Sequence, residues 1–130
     1  MIRLAMEARD ESVRSVARLM DGGTLELFDG IKPGGADDPV TGQRILAEVS
    51  FQNPAFHNPE NGIALAKKMD DVQAMADGMV RWFRCRTADG VVVLTGSLDD
   101  SEMDIRLNVR EVLKGARVTV QTLILEQPEG

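Results

Sequence analysis

Tyrosine is absent from this sequence, and histidine, cysteine and tryptophan each occur once. The lone cysteine, Cys85, excludes an internal disulfide framework and fits assembly in a reducing compartment. The lone histidine, His57, excludes a histidine-based metal cluster, and any Ser-His-Asp or Cys-His machinery would have to use it. It sits among prolines and asparagines with no partner nearby in sequence, so it reads as an exposed loop residue. Long apolar runs are missing as well, none approaching the ~20 residues a membrane-spanning helix needs. Residues 1–20 carry charges every few positions and lack the apolar stretch of a secretory signal, so a soluble protein made in a cytoplasm is expected. Basic excess is missing too. With 15 Lys and Arg against 21 Asp and Glu, the formal charge is −6, which argues against nucleic acid as a partner. No phosphate loop is present, because Gly34, Gly35 and Gly42 are not followed by Lys-Ser/Thr and no G-x-G-x-x-G opens a helix.

What remains is enough for one domain. A chain of 130 residues with 43% hydrophobic content can bury roughly two-thirds of its unfolded surface. With 4% aromatics and seven methionines, the core should be aliphatic with adaptable filler.

Residues 1–20 read as a helix, with Ile2, Met6, Val13, Val16, Ala17 and Met20 near one face and Asp21-Gly22-Gly23 stopping it. That helix either packs on its own domain or forms an arm (1–23) that docks on a neighbouring subunit through Ile2, Met6 and Val13. Thr24–Phe28 reads as an alternating strand, followed by an exposed Gly/Pro/Asp loop over 29–42 that contains Pro33 and is long enough to suggest a binding role. The 44–51 segment is a second strand with Ile45, Ala47, Val49 and Phe51 on one face. A second irregular loop, 52–62, tucks Phe56 beneath it as a plug. A brief strand at 63–66 precedes an extended connection over 67–78.

Met79–Leu98 should be the central hairpin. Asp89-Gly90 is a strong turn signal, and the 91–94 run, Val-Val-Val-Leu, is of the kind buried on both faces. Met103–Val109 alternates, Lys114-Gly115 marks a turn, and Arg117–Leu125 is the last strand, with Val118, Val120, Thr122 and Ile124 on one face. Residues 127–130 read as a frayed tail. The expected fold class is therefore mainly β: an antiparallel, jelly-roll-like β-sandwich of six to eight strands over 24–126, with one N-terminal helix.

Chemistry is sparse. Cys85 and Phe83 fall on the interior side of an alternating strand, where a small buried hydrophobe is the natural reading. Carboxylates cluster at Asp37-Asp38, at Asp70-Asp71, and at Asp99-Asp100 with Glu102 and Asp104. Only the last could suit calcium, and it lacks the required ligand spacing, so it reads as a solubilising turn with no metal or cofactor expected. Trp82, Arg84 and Arg86 share the opposite face of the hairpin strand. Exposed, they would make an interface hot spot or a stacking platform for a sugar ring; buried, Trp82 would close the core and the arginines would pair with acids on the next strand.

The order L-E-L-F-D-G-I-K-P (Leu25–Pro33), T-G-Q-R-I-L-A-E-V (Thr41–Val49), N-P-A-F (Asn53–Phe56), N-G-I-A (Asn61–Ala64), M-V-R-W-F-R-C (Met79–Cys85), A-D-G-V-V-V-L-T-G-S-L (Ala88–Leu98) and R-V-T-V-Q-T-L-I-L (Arg117–Leu125) resembles small structural proteins of tailed bacteriophages and prophages. The resemblance runs from Thr24 onward. It departs in having fewer small residues, and in an acidic D-D-S-E-M-D-I where those relatives carry G-G-A-D-M-x-L. It implies a non-enzymatic virion component, made in the bacterial host cytoplasm. A capsid decoration or cement protein bound to the major capsid protein, itself a homodimer or homotrimer, is the favoured role, with a tail or neck position as the alternative. No catalytic residues come with that resemblance, and neither nucleic acid nor a membrane is expected as a partner. The candidate interface residues are Trp82, Arg84, Arg86, Ile2, Met6, Val13, Pro33 and Phe56.

Overall fold

The computed structural model describes residues 5–35, 40–98 and 103–126. Helix α1 (Met6–Leu19) leads into β1 (Thr24–Phe28), β2 (Ile45–Ser50), β3 (Ile63–Leu65), β4 (Val72–Gln73), β5 (Gly78–Met79), β6 (Trp82–Arg86), β7 (Val92–Ser97), β8 (Met103–Leu107), β9 (Glu111–Val112), β10 (Arg117–Val118) and β11 (Val120–Glu126). Two larger sheets hold seven of these strands, in the orders β2-β1-β6-β7 and β3-β11-β8, and the short pairs β10-β4 and β5-β9 fill between. Every pairing is antiparallel. The mainly β, sandwich-like architecture with an N-terminal helix is as the sequence predicts.

Alternation fixes the inner face of the four-stranded sheet. Leu25 pairs with Val49 and Cys85, and Leu27 with Ala47 and Phe83, so all six side chains project to one side, fully buried. They join Ala64, Ile105, Leu123 and Leu125 of the three-stranded sheet in a single core.

Helix α1 belongs to this core. Val13, Ala17 and Met20 are buried in it, and the helix packs on β3 and β11. Asp10 accepts a hydrogen bond from the Gly62 amide at 2.6 Å, and Asp21 one from Ala55 at 2.7 Å, which fix both ends of the helix to the strand-side loops. Gly22 ends it at φ +67°, where a side chain would be strained.

Four expectations need correction. Strand β1 does not alternate between buried and exposed: Leu25 to Phe28 are all buried, Glu26 included, because β1 is central and its outer face is covered by aromatic and arginine side chains. Val91–Leu94 is not buried on both faces. Strand β7 is a sheet edge, so Val91 is 63% exposed and the next three residues are half-buried. The last strand is two strands. Its register slips between Val120 and Thr122, leaving Gln121 unmatched, so the buried set passes from Val118 and Val120 to Leu123 and Leu125. The fourth concerns Val13, which is 2% exposed and packs within its own domain, offering nothing to a neighbour.

Candidate interface surfaces

The outer face of the four-stranded sheet is where the sequence places Trp82, Arg84 and Arg86. Cross-strand register puts Trp82 opposite Phe28 and Arg84 opposite Glu26. The two aromatic rings stack with centroids 4.2 Å apart and planes 10° from parallel, and the indole Nε1 donates to the Asp29 carbonyl at 2.8 Å. Trp82 is 1% exposed. The indole is therefore neither a hot spot nor a platform for a sugar, because Phe28 occupies its face.

The arginines are likewise committed. Glu26 Oε1 accepts from Arg84 Nε at 2.7 Å and from Arg86 Nε at 2.8 Å. The Arg84 guanidinium also lies 5.1 Å from the Phe28 ring centre, and Arg86 donates to the Gly90 carbonyl at 2.8 Å. A buried carboxylate needs such partners, since an unpaired charge in a low-dielectric site is costly. This cluster holds the sheet and the hairpin turn together. It does not present free guanidinium groups as a contact surface.

The remaining expected interface residues scatter. Phe56 is 6% exposed, bridges in register to Ala66 and lies 6.0 Å from the Phe51 ring, a plug as expected and not a contact residue. Met6 is exposed on α1, and Pro33 is half-buried in the long loop. Ile2 lies outside the described residues, as do Asp37-Asp38, the turn at 99–102 and the tail at 127–130.

His57 is exposed and borders a shallow depression of about 210 Å³ between α1 and the 54–59 loop, with Arg14, Arg18 and Asp21 on the helix side. Cys85 is buried in the core, where burial, and to a lesser degree the nearby Glu26 carboxylate, push its thiol pKa far up, so it is inert at neutral pH. Among the described residues, no group of three or more His, Cys, Asp or Glu side chains could hold a metal ion, and no helix is long and apolar enough to cross a membrane.

A surface the sequence did not single out is built where three loops meet. Asp29 closes the base of the long loop by accepting from the Arg44 amide at 2.6 Å and from Arg44 Nε at 3.2 Å. Arg44 Nη2 reaches the Asp77 carbonyl at 2.9 Å, and the Asp77 carboxylate accepts from the Lys114 amide at 2.7 Å. Backbone bonds add to the tie: Met75 donates to Leu46, Ala74 to Ala116 and Gly115 to Ala74, at 2.7–2.8 Å. On these tied loops stand three large apolar side chains in solvent: Ile31 at 85%, Leu113 at 67% and Met75 at 48%. The only sequence signal for this surface was the length of the loop, because the side-chain bonds that join Arg44 to Asp77 and Asp77 to Lys114 span 33 and 37 residues. Compared with known proteins, the chain matches no family model, no curated protein and no solved structure.

Proposed function

We propose that the chain is a non-enzymatic structural protein of a tailed-phage virion, a decoration or cement protein that docks on the shell of major capsid protein and stabilises the head. The observation that carries the docking mode is the three-loop surface, where Ile31, Met75 and Leu113 are exposed on loops held together by Asp29, Arg44 and Asp77. Single exposed apolar residues are ordinary on a protein surface; three on loops bonded to one another are the makings of an interface core with a polar rim. Pre-tied loops also reduce the ordering cost that docking would otherwise meet. The motif order from Leu25 to Leu125 supports the assignment to a virion.

The test mixes purified protein with capsids that lack it and follows occupancy by co-sedimentation. Saturable binding to heads, lost in an Ile31→Asp/Leu113→Asp double variant of unchanged circular dichroism, is the expected result. Binding to isolated tails but not heads would move the protein to a tail or neck position, and binding to neither overturns the reading.

A further inference from the structure

Helical spacing builds one wall of the depression between α1 and the 54–59 loop. Arg14, Ala17, Arg18 and Asp21 recur at i, i+3, i+4 and i+7, so they share one stripe along and just past the helix. The loop supplies the other wall, and its own bonds fix it before anything binds. The Ala55 amide donates to Asp21 at 2.7 Å, the Lys67 amide to the Ala55 carbonyl at 2.8 Å, and the His57 amide to the Leu65 carbonyl at 2.8 Å. Phe56 and Pro59 on this wall are buried and apolar, whereas His57 and Asn58 are exposed.

The charges around the depression do not cancel. Arg14 pairs with Glu11, and Asp21 gives its carboxylate to the Ala55 amide. Arg18 is left over: it does not pair with Asp21, three residues on, and among the described residues its guanidinium takes no hydrogen bond and no ion pair. On a chain of formal charge −6, an uncommitted guanidinium, an imidazole and a side-chain amide thus edge one small depression. All three can donate to an oxyanion, and the guanidinium fork matches the two oxygens of a carboxylate.

We propose that this depression binds a small carboxylate carried on a short hydrocarbon stem. Arg18 grips the carboxylate, His57 and Asn58 donate beside it, and the stem lies against Phe56 and Pro59. The apolar part of the lining selects this class over inorganic phosphate, which has no methylene to place there. Size limits the ligand further, since about 210 Å³ is less than the roughly 300 Å³ at which pockets for drug-sized molecules begin. A free dicarboxylic acid and the glutamate side chain of a partner protein both offer this group, and the test separates them. The inference stands whether or not the three-loop surface docks on a shell.

His57 is the only histidine, so its ring protons give a single resolved reporter at the site in an NMR titration of the full chain. The probes are glutarate, N-acetyl-glutamate amide as the side-chain mimic, and inorganic phosphate, at constant ionic strength. The expected result is a saturable shift of the His57 signals with a carboxylate probe, weakened about tenfold in Arg18→Gln, as for loss of a charge-assisted hydrogen bond. Arg117→Gln removes the same charge from a strand outside the depression and should leave the affinity unchanged. Tighter binding of glutarate identifies a free diacid as the ligand, and tighter binding of the blocked glutamate identifies a partner's side chain. A shift that does not saturate, an affinity unchanged in Arg18→Gln, equal weakening in Arg117→Gln, or phosphate binding more tightly than either carboxylate overturns the inference.

Discussion

Phe28 and Trp82 face each other across two neighbouring strands, their rings 4.2 Å apart and nearly parallel. The pair lies on the outer face of the sheet yet is as buried as the core, at 3% and 1% exposure. Trp82→Ala should cost about 4 kcal/mol in urea denaturation, as for other large buried aromatics. A double-mutant cycle with Phe28→Ala should return a coupling of about 1 kcal/mol. A cost near zero would mean that the indole is solvent-facing after all.

Glu26 is the second determinant of that face. Glu26→Gln keeps the shape but leaves Arg84, whose side chain is only 12% exposed, without its ionic partner. The expected loss is about 3 kcal/mol, and it should change little with added salt because the pair is shielded from solvent. Arg86→Ala should cost less, since its side chain is 33% exposed and part of its charge is already hydrated.

The buried thiol of Cys85 makes stability depend on alkaline pH. Its folded pKa is raised, chiefly by burial, while an unfolded thiol ionises near about 8.5. The contribution is therefore fully present below that value, and above it the unfolded state loses its proton first. Stability should fall by about 1.4 kcal/mol per pH unit as pH climbs further. Urea midpoints measured from neutral to alkaline pH should show this decline, and Cys85→Ala should remove that component of the slope.

Two adjacent glycines should respond differently to alanine. A Cβ on Gly23 would lie 1.9 Å from the Arg86 carbonyl oxygen, so the strand must move and the loss should reach about 3–4 kcal/mol. Gly22 meets nothing closer than 3.9 Å and is limited by its φ of +67°, which should cost about 1 kcal/mol. Thermal melts of the two variants rank them directly.

The elements written in local grammar were legible in the sequence. The 87–90 turn closes as Asp89-Gly90 predicts, with Gly90 donating to Thr87 and Thr87 to Val91, and the helix ends at the glycine pair. Phe83 and Cys85 face inward as their alternation requires. What could not be read depends on neighbours distant in sequence. Whether Val91–Leu94 is central or at an edge is a matter of strand order, and whether Trp82 is bare or covered depends on Phe28, more than fifty residues earlier. A single unmatched residue, Gln121, reverses which side of the last strand is buried, and periodicity cannot show that. The three-loop surface is tied by Arg44 and Asp77, whose partners lie 33 and 37 residues away in sequence.

The Asp29–Arg44 clamp insulates the sheet from whatever lies between its two residues. Strands β1 and β2 pair across a gap already closed at its root, so their register does not depend on how much chain the gap contains. Doubling that stretch would add only about 0.6 kcal/mol of closure entropy. The segment between Gly30 and Gln43 is thus a natural port for grafting, where an epitope or affinity tag could be carried outward by a scaffold that scarcely registers the extra length.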